Sequence, residues 1–197
     1  QGSVLAARIL AQAAEAKGWQ VRSAETIGMA QRGGDVMSHV RMGNAGEEVF
    51  SPLPAKGTVD VLIALEPGEA ARALPYLKEN GLLVVASTGI PPVMANFKRQ
   101  TYDPQHLIDD MQAAGVKMVV VDDAELVHRL GEPKALNVMM LAYAIIAVNK
   151  REDCVDNALR GAITLEDIEA AIPLCVKRKL VSVNEKAIKV VQQAARV

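Results

Sequence analysis

The side chains best suited to chemistry fall between Thr26 and Arg41: Gly28, Gln31, Arg32, Gly33 and Gly34, followed by His39 and Arg41. Glycines permit backbone angles that turn amides toward a ligand, and a guanidinium beside them can grip a carboxylate or phosphate through paired N–H donors. Arg32 therefore reads either as an anion contact or as an arginine that anchors its own loop or a partner subunit. His39 reads either as a titratable group serving that loop or as an imidazole satisfying nearby backbone. If Val36 to Met42 is a strand, Val36, Ser38, Val40 and Met42 share one face, and Met37, His39 and Arg41 share the other.

Other chemistries find little support. The sequence contains no G-x-x-x-x-G-K-[ST], H-E-x-x-H, G-x-S-x-G or complete G-x-G-x-x-G. His39, His106 and His128 are dispersed without metal-ligand spacing, and no residue is assigned a metal or a catalytic role. Cys154 and Cys175 stand far apart outside any C-x-x-C context. A cubane iron–sulfur cluster needs four thiolates, so this chain cannot hold one alone. Both cysteines read as small apolar core residues.

Composition limits the partners as well. The formal net charge is -1 and the basic residues form no run, which argues against nucleic acid or a polybasic membrane contact. The longest apolar run, Leu136 to Val148, is interrupted by Asn137 and falls short of the roughly 18 residues that suggest a membrane span. With no signal-peptide pattern, the chain reads as cytoplasmic. The 197 residues suit a single domain over 1–197, and with 50% hydrophobic but only 3% aromatic residues the core must be aliphatic.

The elements that position the glycine loop alternate in type. Ser3 to Ala14 has apolar residues at helical spacing, with Ser3 as cap and Gly18 as stop. A helix starting there implies a strand and glycine turn ahead of it. Val21 to Glu25 is a short strand, and Val36 to Met42 another, which turns at Gly43–Gly46 and returns as Glu48–Ser51. Val59 to Leu65, Leu82 to Ala86 and Val116 to Val121 read as buried strands, separated by helices over Glu69–Lys78 and from Asp103-Pro104 to Ala114. That rhythm predicts an α/β fold with a mainly parallel sheet flanked by helices. Glu66, Ser87, Thr88 and Asp122 lie at strand C-termini, where ligands tend to bind, although each reads first as a cap or turn residue. The C-terminal portion reads as helical: Ala124–Leu130, Lys134–Val148, a capping-box-like start at Thr164, a break or kink at Pro173, and a last amphipathic helix from Ser182.

Two N-terminal stretches resemble a known family. Gln1-Gly2-Ser3, running into Val4–Ala11, resembles the end of the Gly-Gly-Gln-Gly motif and first helix of gamma-type subunits or domains of 2-oxoacid:ferredoxin oxidoreductases. Gly28-Met29-Ala30-Gln31-Arg32-Gly33-Gly34 with Ser38-His39-Val40-Arg41 is most similar, within that group, to the beta subunit of the indolepyruvate branch. Agreement continues at Asn137 and at Asn184-Glu185-Lys186-Ala187.

The resemblance implies a Rossmann-like three-layer fold and a cofactor-free subunit of a hetero-oligomeric enzyme. That enzyme oxidatively decarboxylates a 2-oxoacid to acyl-CoA and passes the electrons to ferredoxin. The family's Gly-Asp-Gly thiamine pattern is missing, since Val36 follows Gly34-Asp35, so thiamine diphosphate, Mg and iron–sulfur clusters are expected on a partner chain. Gly28, Gln31, Arg32, Gly33, Gly34, His39 and Arg41 are then expected to face substrate, CoA or the partner. A stand-alone nucleotide- or metabolite-binding module, with a phosphate at the first helix N-terminus, is the alternative.

Overall fold

The computed structural model describes residues 2–28, 36–44, 46–91, 102–154 and 156–195. Its centre is a three-stranded parallel sheet in the order β3 (Val59–Ala64), β4 (Leu77–Ala86), β5 (Met118–Val121). These are the Val-, Ile- and Leu-rich runs of the sequence, and side-chain alternation sends them into two cores. Leu83 and Val85 pack with Ala70, Ile108 and Met111 from α2 (Pro67–Ala73) and α3 (Pro104–Ala113). Leu82, Val84 and Ala86 pack into the larger core with Ile9 of α1 (Ser3–Ala16) and the buried residues of α5 (Leu136–Lys150). The result is the expected helix–sheet–helix sandwich.

The remaining helices extend the larger core. They are α4 (Asp123–Leu130), α6 (Leu165–Cys175) and α7 (Arg178–Ala194). Thr164 opens α6 with the reciprocal capping box in which Asp167 takes the distal role. Pro173 lies in the last turn of α6 and the helix ends two residues later, because its ring removes a donor and crowds the preceding turn. Helix α7 starts at Arg178, ahead of the expected Ser182; its N-cap Lys177 makes no side-chain cap bond, so the start carries no capping signal. Ser3 is likewise not a cap, since Gly2 holds that position with φ 82 and no side-chain bond.

Two expectations in the middle of the chain need correction. The helix after β3 does not reach Lys78: Pro75 follows α2, a 3-10 turn spans Leu74–Tyr76, and β4 begins at Leu77. The early part of β4 pairs irregularly with β3, and Lys78 there forms an ion pair with Asp60. Gly81 makes that irregularity possible, because a Cβ would sit 2.6 Å from Leu77 Cδ1 and 2.9 Å from Val59 O.

The second correction concerns the hairpin. Val36–Gly43 (β2) pairs antiparallel with Gln20–Ile27 (β1), so Thr26 belongs to a strand and Glu48–Ser51 is not the returning arm. The inner face of this hairpin presents Val21 and Met42 to the main core, whereas Phe50 in Glu48–Ser51 is 85% exposed. The hairpin is a separate two-stranded sheet that packs on α1 and shares no ladder with β3–β5.

Candidate functional site

The hairpin carries the residues singled out by the sequence. Its register pairs Gln20 with Gly43, Arg22 with Arg41, Ala24 with His39, Thr26 with Met37 and Ile27 with Val36. Even-numbered β1 residues therefore share an outer face with His39 and Arg41, as the alternation predicted. Gly28 follows β1 and is exposed, while Gln1, Gln31, Arg32, Gly33 and Gly34 lie outside the described residues.

The outer face is docked onto the body of the molecule. Gln20 Oε1 accepts from Val49 N at the hairpin base. One rung along, Arg41 Nη1 donates to Ser51 O at 2.9 Å. At the next rung the His39 ring meets Tyr76, with centroids 6.3 Å apart in an edge-to-face arrangement. His39 Nε2 also lies 3.2 Å from Thr26 Oγ1. Burial lowers the His39 pKa from the ordinary imidazole value, because a charged ring there would lose hydration. The imidazole is thus held toward its neutral form, and Arg41 is engaged in docking its own strand.

On the opposite side, α1 and the hairpin enclose a groove of about 350 Å³, lined by Ala7, Arg8, Gln12, Glu25, Ser38 and His39 among others. Ser38 Oγ is buried with no hydrogen-bond partner among the described residues. At the start of α1, Gly2 O accepts from Asn137 Nδ2 at 2.8 Å, and Asn137 is 2% exposed. This ties Gly2 to the first turn of α5, whereas the sequence showed Asn137 as an interruption of an apolar run and as a point of family resemblance. Asn184 is buried too, and donates to Leu180 O within α7.

The strand-end residues mostly serve local structure. Glu66 caps α2 by accepting from Glu69 N, and Asp122 caps α4 by accepting from Glu125 N. Ser87 Oγ and Thr88 N both donate to Asp123 Oδ1, at 3.2 and 2.9 Å. Asp123 and Tyr76 were missed by sequence reasoning. Asp123 follows an equally plausible cap, and Tyr76 follows a proline within an expected helix, so neither had a periodic signal to set it apart.

Cys154 lies in a bend after α5, and Cys175 in α6. Cys154 is buried and Cys175, at the end of α6, is partly buried, with Sγ 3.7 Å from Arg8 O. Burial raises both thiols, which keeps them protonated and weakly reactive. Their placement does not fit iron–sulfur ligation. Among the described residues, no group of three or more His, Cys, Asp or Glu side chains could hold a metal, and no helix is long and apolar enough to cross a membrane.

The family model for pyruvate ferredoxin/flavodoxin oxidoreductase matches residues 1–197. The chain belongs to that family. Within the pyruvate ferredoxin/flavodoxin oxidoreductases, it is 32% identical over 190 residues to indolepyruvate oxidoreductase subunit IorB of Archaeoglobus fulgidus, covering 96% of this chain and 87% of that protein. It is 30% identical to the IorB subunit of Thermococcus kodakarensis, covering 100% of this chain and 91% of that protein.

Solved structures show the same fold. The gamma subunit of a keto/oxoacid ferredoxin oxidoreductase from Geobacter sulfurreducens superimposes with a TM-score of 0.65 at 20% identity, over 100% of this chain and 93% of that one. Pyruvate oxidoreductase subunit PORC of Thermotoga maritima gives 0.61 at 19% identity, over 98% and 89%. A 2-oxoglutarate:ferredoxin oxidoreductase from Magnetococcus marinus gives 0.64 at 15% identity, with 98% of this chain covering 28% of that longer one.

Proposed function

We propose that residues 1–197 act as a single gamma-type α/β domain, the cofactor-free subunit of a thiamine-diphosphate-dependent arylpyruvate:ferredoxin oxidoreductase with indolepyruvate as a substrate. The observation that carries this reading is the near full-length similarity to IorB subunits. In the overall reaction, a 2-oxoacid, CoA thiol and two oxidised ferredoxins give acyl-CoA, CO₂, a proton and two reduced ferredoxins. Thiamine diphosphate, Mg and the iron–sulfur clusters reside on a partner chain in this reading, since the protein's contribution to cofactor chemistry is orientation, binding and exclusion. The assembled enzyme works in the cytoplasm.

The chain's own part is to supply one wall of a site completed by that partner. Residues 28–35 connect the two strands of the hairpin, whose last pair, Ile27 and Val36, is exposed. In this reading Arg32, Gln31 and the glycines hold the anionic end of the 2-oxoacid or CoA, while His39 and Arg41 set the hairpin that presents them. Affinity purification of the tagged chain from its native cells tests the assembly. A co-purifying chain with a Gly-Asp-Gly thiamine pattern and cluster cysteines supports the proposal; recovery without such a partner contradicts it.

A further inference from the structure

Helix α7 packs against α4, α5 and α6, and the side it turns to them is apolar: Ala187, Ile188 and Val191 are buried in the main core. Its other side carries Lys179, Ser182, Lys186, Lys189 and Gln193, all exposed. Intervals of three and four place these residues on one stripe of the helix. At about 1.5 Å of rise per residue the stripe is roughly 21 Å long. At the start of α7 it widens into Lys177-Arg178-Lys179, exposed throughout. In sequence that triplet is too short to stand out, and only the helix brings Lys186 and Lys189 into line with it.

Residues 177–194 hold five of the chain's 22 Lys and Arg but one of its 23 Asp and Glu, so a molecule of net charge -1 has one distinctly positive face. None of the five cations forms an ion pair among the described residues. The helix itself gains nothing from the triplet. A helix start carries the positive end of the backbone dipole and favours Asp or Glu. Helix α6 follows that rule with Glu166 and Asp167, whereas α7 has no acid in its first turn and its N-cap Lys177 makes no side-chain cap bond. Two exposed leucines adjoin the triplet in sequence: Leu174, in the last turn of α6, at 64%, and Leu180, in the first turn of α7, at 41%.

The chemistry of this face selects among anionic partners. A helix that lies on a lipid surface sinks its apolar side into the membrane, but the apolar side of α7 is already spent on the core. Single-stranded nucleic acid is held by aromatic stacking as well as by charge, and residues 174–194 contain no aromatic side chain. A protein surface supplies both carboxylates for the lysines and apolar side chains for the leucines. We propose that the outward face of α7, with its junction to α6, is an interaction surface for an acidic face of a partner subunit. The inference rests on the proposed subunit role and adds to it which face of this chain the partner covers.

The test uses the tagged full-length chain, free and in the complex recovered from its native cells. Acetylation of Lys177, Lys179, Lys186 and Lys189, followed by mass spectrometry, should be about tenfold slower in the complex, because paired ammonium groups are withheld from the reagent. Carbodiimide coupling, which links amines to carboxylates in contact, should join Lys179 or Lys186 to Asp or Glu of the co-purified chain. The double variant Lys179→Glu/Lys186→Glu should weaken association about tenfold or more at low salt and flatten its salt dependence. The same variant, free, should unfold at a urea midpoint no lower than wild type, since an acid is favoured in the first turn. Leu174→Ser should weaken association while leaving the salt dependence as it is. A complex whose four lysines react as fast as in the free chain overturns the surface and leaves the subunit role standing. Unchanged association of the double variant, or a loss of association traced to a lowered urea midpoint, overturns it as well. So does a free chain that binds phosphatidylglycerol vesicles or DNA through these lysines while they stay reactive in the complex. Recovery of the chain without any partner overturns the subunit role and this surface together.

Discussion

Asn137 donates through Nδ2 to the carbonyl of Gly2 at 2.8 Å, joining the first turns of α5 and α1 across 135 positions of sequence. The contact is tight as well as polar: a Cβ on Gly2 would lie 2.7 Å from that same nitrogen, and Gly2 has φ +82. Asn137→Ala should lower stability by about 1–3 kcal/mol through the lost bond and the void. Gly2→Ala should cost a similar ~1–3 kcal/mol from left-handed strain plus the clash. Urea titration of each variant checks both, and Asn137→Ala unfolding at the wild-type midpoint would remove the contact's structural importance.

Asp123 gathers the loop after β4. Its Oδ1 accepts from Ser87 Oγ and from Thr88 N, and the residue is only 5% exposed. Asp123→Ala strands a backbone donor and should cost about 2–3 kcal/mol. Asp122→Ala, which removes only an exposed cap bond to Glu125 N, should cost nearer ~1 kcal/mol. Thermal denaturation of the two variants side by side reads the order, and a reversed order contradicts this assignment.

His39 gives the stability a pH dependence of definite sign. Burial lowers its folded-state pKa below the ordinary 6.5, so the unfolded chain binds the proton more readily. Its contribution is fully present above 6.5 and is lost as pH falls through the lowered folded value. Arg41 and Arg22 share the hairpin face with His39, Tyr76 meets the ring from the body, and Arg8, Glu15 and Glu25 line the adjoining groove. Urea midpoints measured from about pH 5 to about pH 8 should rise with pH more steeply in wild type than in His39→Gln. Equal slopes would assign the dependence to other groups.

Arg32 is the residue of the glycine loop whose role kinetics can separate. Arg32→Ala should raise the KM or lower kcat by roughly tenfold or more while the complex keeps its mass. Size-exclusion chromatography combined with steady-state kinetics makes the distinction. Loss of association with unchanged kinetics in the remaining complex would make the loop an interface element instead.

The parallel strands, their flanking helices and the buried α5 were legible because aliphatic runs bounded by glycine, proline and acidic caps carry their own period. Asp103 and Thr164 announced helix starts that the structure contains. The hairpin was legible only in part. Val36–Met42 showed its alternation, but the choice of Gln20–Ile27 as partner depends on long-range packing of Val21 and Met42 against α1 and the core. Tyr76 was hidden because Pro75 converts the end of an expected helix into a 3-10 turn, which no amphipathic period records. Asn137 looked like an intruder because its partner is a backbone carbonyl at the far end of the sequence. At the candidate site, alternation foresaw the shared face of His39 and Arg41, but not that Arg41 is occupied by Ser51 O.

The central claim is that catalysis by the complex requires this chain. Reconstitution with the co-purified partner, assayed for 2-oxoacid- and CoA-dependent reduction of ferredoxin or a viologen, measures it directly. The account predicts activity with indolepyruvate only when this chain is present. A partner equally active without it would contradict the account.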